Sequence, residues 1–276
     1  MKNIQLTCAH AIIKFLTKQK IYINGKKEPL FPGAFGIFGH GNVACLGQAL
    51  EENKKELPTW RGHHEQNMAL TGIAFSRAKR RKQIFIATSS VGPGSTNMLT
   101  AAAVAMSNRL PMLFLPGDTF ANRMPDPVLQ QVEHFNNPNI TQNDAFKYVT
   151  RYFDRITRPE QILQTLPQAI QTMIDPADCG PACISLSQDV QGETFDYPID
   201  FFKEKIHTIR RPRPDDYQVK QAVDLIKKSK SPIIISGGGI FYSDAMKELS
   251  EFAKKHNIPT AQTVMGYSTM KKDDPY

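Results

Sequence analysis

Residues 83–118 alternate an apolar run, a glycine turn, a small-residue stretch and a second apolar run. Residues 83–88, with Ile84, Phe85 and Ile86, are expected to form a strand. The turn Ser89-Ser90-Val91-Gly92-Pro93-Gly94-Ser95-Thr96-Asn97 follows. Residues 96–107 read as an alanine-rich helix that can lie close against a sheet, and residues 111–115 as the next strand. Strands separated by helices in this way require crossovers, so the pattern implies a parallel α/β sheet. Ligands of such sheets sit outside the carboxyl ends of the strands. Those ends are Gly39-His40-Gly41, His63-His64-Glu65, Ser90-Val91-Gly92 and Gly117-Asp118.

The same rhythm extends in both directions. Residues 7–20 read as a helix capped by Thr7. Residues 21–33 hold Asn24-Gly25 and two prolines and read as a turn-rich loop. A strand at 34–38 precedes a helix at 43–52, and a strand at 59–61 precedes a helix at 64–78. Residues 120–143 are polar and proline-bearing, a length that suits a binding loop or lid. Residues 146–151 alternate apolar and polar; a helix at 160–174 and a strand at 182–186 follow. The first domain is therefore 1–190, and residues 191–214, with late prolines and a basic cluster, are assigned to a linker. Residues 215–276 read helix, strand, helix, strand, which is half of a doubly wound domain. Two strands leave unpaired edges, so the second domain is expected to be truncated or completed by a partner.

Composition narrows the function classes. There are 34 Lys plus Arg against 26 Asp plus Glu, a net charge of +8, but the basic residues are dispersed. Runs such as Arg77 to Lys82 are not interleaved with aromatics, so they read as solvated helix ends rather than a nucleic-acid surface. The four cysteines (Cys8, Cys45, Cys179, Cys183) form neither a CxxC motif nor a zinc pattern. Reduced thiols, no signal peptide and no membrane-length apolar run imply a cytoplasmic protein.

Glu65 sits where a strand gives way to a helix, in the first turn, where the helix dipole favours a carboxylate. It is either a solvated helix-start charge or a partly shielded acid able to share a proton with a ligand nitrogen. His64-Glu65 opens no HExxH zinc motif, because the fifth position is Met68. The Gly92-Pro93-Gly94 turn is neither a P-loop nor a dinucleotide fingerprint, because Asn97 stands at the third glycine position. It still offers bare backbone before a helix, which a flat ring or an anion can approach.

Taken together, Phe35-Gly36-Ile37-Phe38-Gly39, His64-Glu65-Gln66-Asn67-Met68-Ala69, the Ser90–Asn97 turn and Pro111 through Gly117-Asp118 resemble the pyrimidine-binding domain of thiamine diphosphate enzymes, the acetolactate synthase and pyruvate oxidase superfamily. Phe146-Lys147-Tyr148-Val149-Thr150-Arg151 and Gly180-Pro181-Ala182 onward fit as well, and residues 232–264 resemble the opening of that family's central domain. Phe38-Gly39-His40-Gly41-Asn42, His63-His64 and Leu129-Gln130-Gln131-Val132-Glu133-His134 resemble the branch that hydrolyses a carbon–carbon bond of a cyclic dione in inositol catabolism, giving 5-deoxy-glucuronate.

The resemblance implies specific roles. Glu65 would bond the aminopyrimidine ring nitrogen of thiamine diphosphate and favour its imino form. Gly92, Pro93 and Gly94 would lie beside the ring, with Thr96 and Asn97 fixing the turn. His40, His63, His64 and Gln131 are substrate-side candidates. The cofactor's divalent metal, such as Mg2+, is bound in this family through Gly-Asp-Gly, which is absent here: the only Gly-Asp, Gly117-Asp118, continues with Thr119. No metal ligand is therefore expected within the chain, which is expected to be inactive alone and to act as a homo-oligomer or with a complementing C-terminal chain. An acetolactate synthase-type carboligase and a non-catalytic binding module descended from such an enzyme remain open alternatives.

Overall fold

The structure, a computed structural model, describes residues 2–125 and 127–276. It divides into two compact units at Ile209/Arg210.

The first unit is built on a six-stranded sheet. Its order is Tyr152–Ile156, Ala182–Ser187, Leu113–Asp118, Ile86–Ser89, Ala34–Ile37 and Thr59–Arg61. Every neighbouring pair is parallel. Leu113–Asp118 and Ala182–Ser187 are buried along their whole length, as strands covered on both faces must be. On one face Ile12, Leu16, Leu50, Leu166 and Ile170 pack against Ile86, Leu113, Leu115 and Ile184. Met68, Ala69 and Ile73 of the Glu65–Ala78 helix are buried too. A Cβ on Gly72 of that helix would stand 2.8 Å from Met112 Cε and 2.9 Å from Phe85 Cβ. Glycine there lets the helix sit close against its neighbours.

The connectivity locates a crevice. From Ala34–Ile37 the chain moves to Thr59–Arg61 on one side, then crosses to Ile86–Ser89 on the other. The loops leaving Ala34–Ile37 and Ile86–Ser89 therefore diverge, which is the topological switch point where open α/β sheets bind ligands.

Three local expectations change. Residues 21–33 are not simply a loop. Gln19–Ile23 and Lys26–Pro29 pair antiparallel around Asn24-Gly25, both at positive φ (51° and 77°), as a tight hairpin turn demands. Residues 146–151 do not extend: Gln142–Tyr148 is a 3-10 helix with a Thr141/Asp144 capping box, and the strand begins at Tyr152. Residues 191–209 pack into the first unit instead of bridging two domains. Thr194–Pro198 runs antiparallel to Asn3–Thr7, placing Tyr197 in the core, and Lys205–His207 runs parallel to Gln19–Ile23.

His207 adds a pH dependence. Gln19 donates its amide to Phe15 O (2.8 Å), which leaves Gln19 Oε1 to accept from His207 Nε2 (2.9 Å). Burial, reinforced by the Lys205 charge, pushes the imidazole down from 6.5 to about 4. The contribution of a depressed group is fully present above pH 6.5 and is lost as pH falls towards 4, because the unfolded chain takes up the proton first. At pH 5 this should remove about 1–2 kcal/mol. His207→Gln should flatten the fall in urea midpoint between pH 7 and pH 5; parallel profiles for variant and parent would refute the assignment.

The second unit holds the Asp216–Lys228 helix, capped by Asp215 accepting from Gln218 N (3.1 Å). It also holds two parallel strands, Ile234–Ser236 and Thr260–Gln262, and the Met246–His256 helix. Its small core is Leu249, Ala253 and Met270. Leu225, Ile233 and Ile235 are exposed.

Candidate functional site

The candidate site gathers at the carboxyl ends of the two strands flanking the crevice and of the edge strand Thr59–Arg61 beside them. Glu65 opens the Glu65–Ala78 helix, and the extended backbone of His64 (φ −156°, ψ 126°) precedes it. Glu65 is half-buried. Its Oε2 accepts from Asn97 Nδ2 at 2.7 Å. Asn97 lies 32 residues further on, just after the Pro93–Thr96 helical turn. One carboxylate oxygen is therefore pinned.

The two turn glycines serve different ends. Gly92 adopts φ +66°, and a Cβ on it would lie 1.8 Å from Gln130 O. Its lack of a side chain admits the backbone of the long connection after Asp118, called the 119–142 loop, within which Glu133–His134 pairs antiparallel with Asn137–Thr141. The Gln142 amide, oriented so that both ends are satisfied, accepts from Gly92 N (3.1 Å) and donates to Val132 O (3.0 Å). Gly94 instead turns its bare face towards Ser90 Cβ (3.2 Å from an added Cβ) and Glu65 Oε1 (3.6 Å). Glu65 Oε1, for which no partner is seen among the described residues, thus meets backbone without a side chain. That arrangement can receive the edge of a flat ring and share a proton with it. Thr96 Oγ1 donates to Pro93 O (3.0 Å) and closes the turn. Asn97, grouped with Thr96 in the sequence reading, reaches across to the acid instead.

The substrate-side candidates separate. His40 lies in the Gly39–Asn42 helical turn, and its Nε2 is buried with no hydrogen-bond partner among the described residues. Gln131 accepts from Phe120 N (3.4 Å), and its Nε2 is likewise buried without a partner among them. His63 and His64 are exposed on the approach to Glu65. Pro93 is exposed at the first position of its turn.

Two supporting networks were not foreseen. Asn42 is fully buried; it donates to Thr88 Oγ1 (2.9 Å) and Ser89 O (2.8 Å) and accepts from Gln191 Nε2 (2.9 Å). It ties the Gly39–Asn42 turn to the neighbouring strand. Its place in Gly39-His40-Gly41-Asn42 was a usable signal. Arg155 had none. It donates from Nε to Asp118 Oδ2 (2.7 Å) and from Nη2 to Asp144 Oδ2 (2.7 Å) and Thr141 Oγ1 (2.9 Å). Ser185 Oγ also donates to Asp118 Oδ2 (2.5 Å). Burial pushes the Asp144 carboxyl up, but hydrogen bonds from Arg155 and Lys147 outweigh it and hold the group below its ordinary value. This network anchors the far end of the 119–142 loop. The Asp189 carboxylate anchors the near end, accepting from Ala121 N (2.9 Å) and Asn122 N (3.0 Å). Among the described residues no group of three or more His, Cys, Asp or Glu side chains could hold a metal ion, and no helix is long and apolar enough to cross a membrane.

Comparison with known proteins gives the family. Residues 32–139 match the thiamine pyrophosphate enzyme N-terminal TPP binding domain, and residues 219–276 match the thiamine pyrophosphate enzyme central domain. The 3D-(3,5/4)-trihydroxycyclohexane-1,2-dione hydrolase of Clostridium tetani (strain Massachusetts / E88) is 50% identical over 271 residues, covering 98% of this chain and 42% of that protein. The protein of that name from Geobacillus thermodenitrificans (strain NG80-2) is 49% identical over 275 residues, covering 100% and 43%. That from Listeria monocytogenes serovar 1/2a is 48% identical over 272 residues, covering 99% and 43%. The chain spans less than half the length of these relatives.

Proposed function

The chain belongs to the thiamine pyrophosphate enzymes, and we propose that it is the N-terminal part of a hydrolase that cleaves a carbon–carbon bond of 3D-(3,5/4)-trihydroxycyclohexane-1,2-dione, giving 5-deoxy-glucuronate in myo-inositol catabolism in the cytoplasm. The carrying observation is the Glu65 carboxylate, with Oε2 held by Asn97 and Oε1 turned to the bare face of Gly94.

These residues fit the aminopyrimidine end of thiamine diphosphate. A side chain at Gly94 would fill the face beside Glu65 Oε1, and among the described residues only Oε2 of Glu65 is engaged, which leaves Oε1 for a ring nitrogen. The bound cofactor supplies the nucleophilic carbon and the electron sink for breaking a carbon–carbon bond. Glu65 holds a proton at the ring nitrogen through Oε1. Asn97 fixes the rotamer of Glu65, so the proton is delivered at one place. The 119–142 loop, tied at both ends, packs on Gly92 and limits water on that side. His40 and Gln131 are assigned to the substrate side.

The diphosphate and its Mg2+ belong to residues outside 1–276. Asp118 cannot substitute as a metal ligand, because Arg155, Ser185 and Thr119 N already engage its buried carboxylate. Residues 1–276 alone are therefore proposed to be inactive: activity requires a complementing C-terminal part, and the completed enzyme is proposed to act as a homo-oligomer.

A carboligase of the acetolactate synthase type would use the same Glu65 and Gly94, so products decide between the two. The complete enzyme can be made by joining residues 1–276 to the C-terminal remainder of the Clostridium tetani relative. Given the cyclic dione, it should release the ring-opened acid; given pyruvate, it should release no acetolactate. Acetolactate without dione hydrolysis would overturn the proposal. A completed enzyme that neither binds cofactor nor turns over would instead identify residues 1–276 as a binding module.

A further inference from the structure

We propose that Ser90 Oγ and His40 Nε2 form a hydrogen-bonding subsite for a hydroxyl or carbonyl oxygen of the substrate, beside the Glu65–Gly94 face assigned to the cofactor. This deepens the functional reading above and rests on it.

Ser90 stands at the crevice. Its N–H donates to Ile37 O (3.0 Å), joining the end of one flanking strand to the exit of the other. Its side chain packs on Gly39: a Cβ there would lie 2.5 Å from Ser90 Cβ and closer still to its hydroxyl. Gly39 immediately precedes His40, so the two side chains belong to adjoining turns. Ser90 is only 7% exposed.

The neighbouring hydroxyls make Ser90 informative. Thr88 Oγ1 donates to Leu115 O (2.7 Å), Ser89 Oγ to Ser90 O (3.2 Å), Ser95 Oγ to Gly92 O (3.0 Å) and Thr96 Oγ1 to Pro93 O (3.0 Å). Of the hydroxyls along 88–96, Ser90 Oγ alone is buried with no partner among the described residues, and His40 Nε2 shares that condition. Buried polar groups are ordinarily paired, and a group left unpaired is destabilising until a ligand pairs it. A hydroxyl both donates and accepts, and so does an imidazole across its two nitrogens. The pair therefore suits an oxygen-rich ring, which carries both hydroxyls and carbonyls, better than an alkyl group.

Glu65 Oε1 and Ser90 border the same bare glycine, but Glu65 is held from the Asn97 side and Ser90 from the Gly39–His40 side. The cofactor ring is assigned to the first, which leaves the second for the substrate.

The test compares two constants in the complete enzyme: KM for the dione, and Kd for thiamine diphosphate by calorimetry. Ser90→Ala keeps the Cβ that packs on Gly39 and removes an unpaired hydroxyl, so the fold should melt at or slightly above the parent temperature. It should raise KM about tenfold and leave Kd within about twofold. His40→Ala should do the same. An unchanged KM, or a Kd that rises in place of KM, would overturn the subsite. Failure of the parent enzyme to bind the cofactor or hydrolyse the dione would instead overturn the functional reading, so the two failures are distinguishable.

Discussion

Replacing Glu65 with Gln in the complete enzyme is expected to lower kcat about a thousandfold, the scale of a positioned proton-transfer group. The variant isolates the charge. Gln has the same length and its amide oxygen can still accept from Asn97 Nδ2, which reaches Glu65 at 2.7 Å in the parent. Glu65 lies in the first turn of its helix, where losing a carboxylate forfeits only the dipole contribution, about 0.3–1 kcal/mol. The melting profile should therefore barely move while turnover collapses. Near-normal turnover would remove Glu65 from the chemistry, and with it the reading of Gly94 as the face beside a ring.

The second large effect is on stability. Arg155→Met should destabilise the first unit by about 3–5 kcal/mol, the range for breaking a buried ion pair by deleting one partner. Asp118 has 0% of its side chain exposed and Arg155 19%. Ser185 Oγ and Thr119 N remain on Asp118, but neither carries charge. Removing both partners as Arg155→Met with Asp118→Asn should recover part of the loss, because no buried charge is then left alone. Asp144 and Thr141 lose the same guanidinium, so the 119–142 loop should become cleavable by a protease that spares the parent. Urea midpoints and limited proteolysis check both statements; a loss below about 1 kcal/mol would show that the network contributes little.

Much of this was readable from local sequence. Ile84, Phe85 and Ile86, then Gly92-Pro93-Gly94, then the alanines of the Leu99–Ser107 helix, announce strand, turn and close-packed helix. A carboxylate at the start of the Glu65–Ala78 helix was the local signal for the proposed site. What escaped depends on distance along the chain. No local pattern says that Thr194–Pro198 pairs with Asn3–Thr7, or that Asn97 reaches Glu65. Arg155 looks like any strand arginine until Asp118 and Asp144 are brought to it. Gly92 is a subtler case. The bare turn was legible, but two reasons for bareness look alike in sequence, and only the structure separates the loop carbonyl against Gly92 from the open face of Gly94. The Asn24-Gly25 hairpin is different again: its signal was present, and the surrounding prolines obscured it.

On the proposed function one cofactor site is divided, with Glu65 and Gly94 serving the pyrimidine ring and the diphosphate anchored outside residues 1–276. Calorimetry with thiamine diphosphate and Mg2+ tests it directly. Residues 1–276 alone should show no binding at micromolar concentrations, whereas the complete enzyme should bind, and only when Mg2+ is present. Tight, Mg2+-dependent binding by residues 1–276 alone would contradict the division.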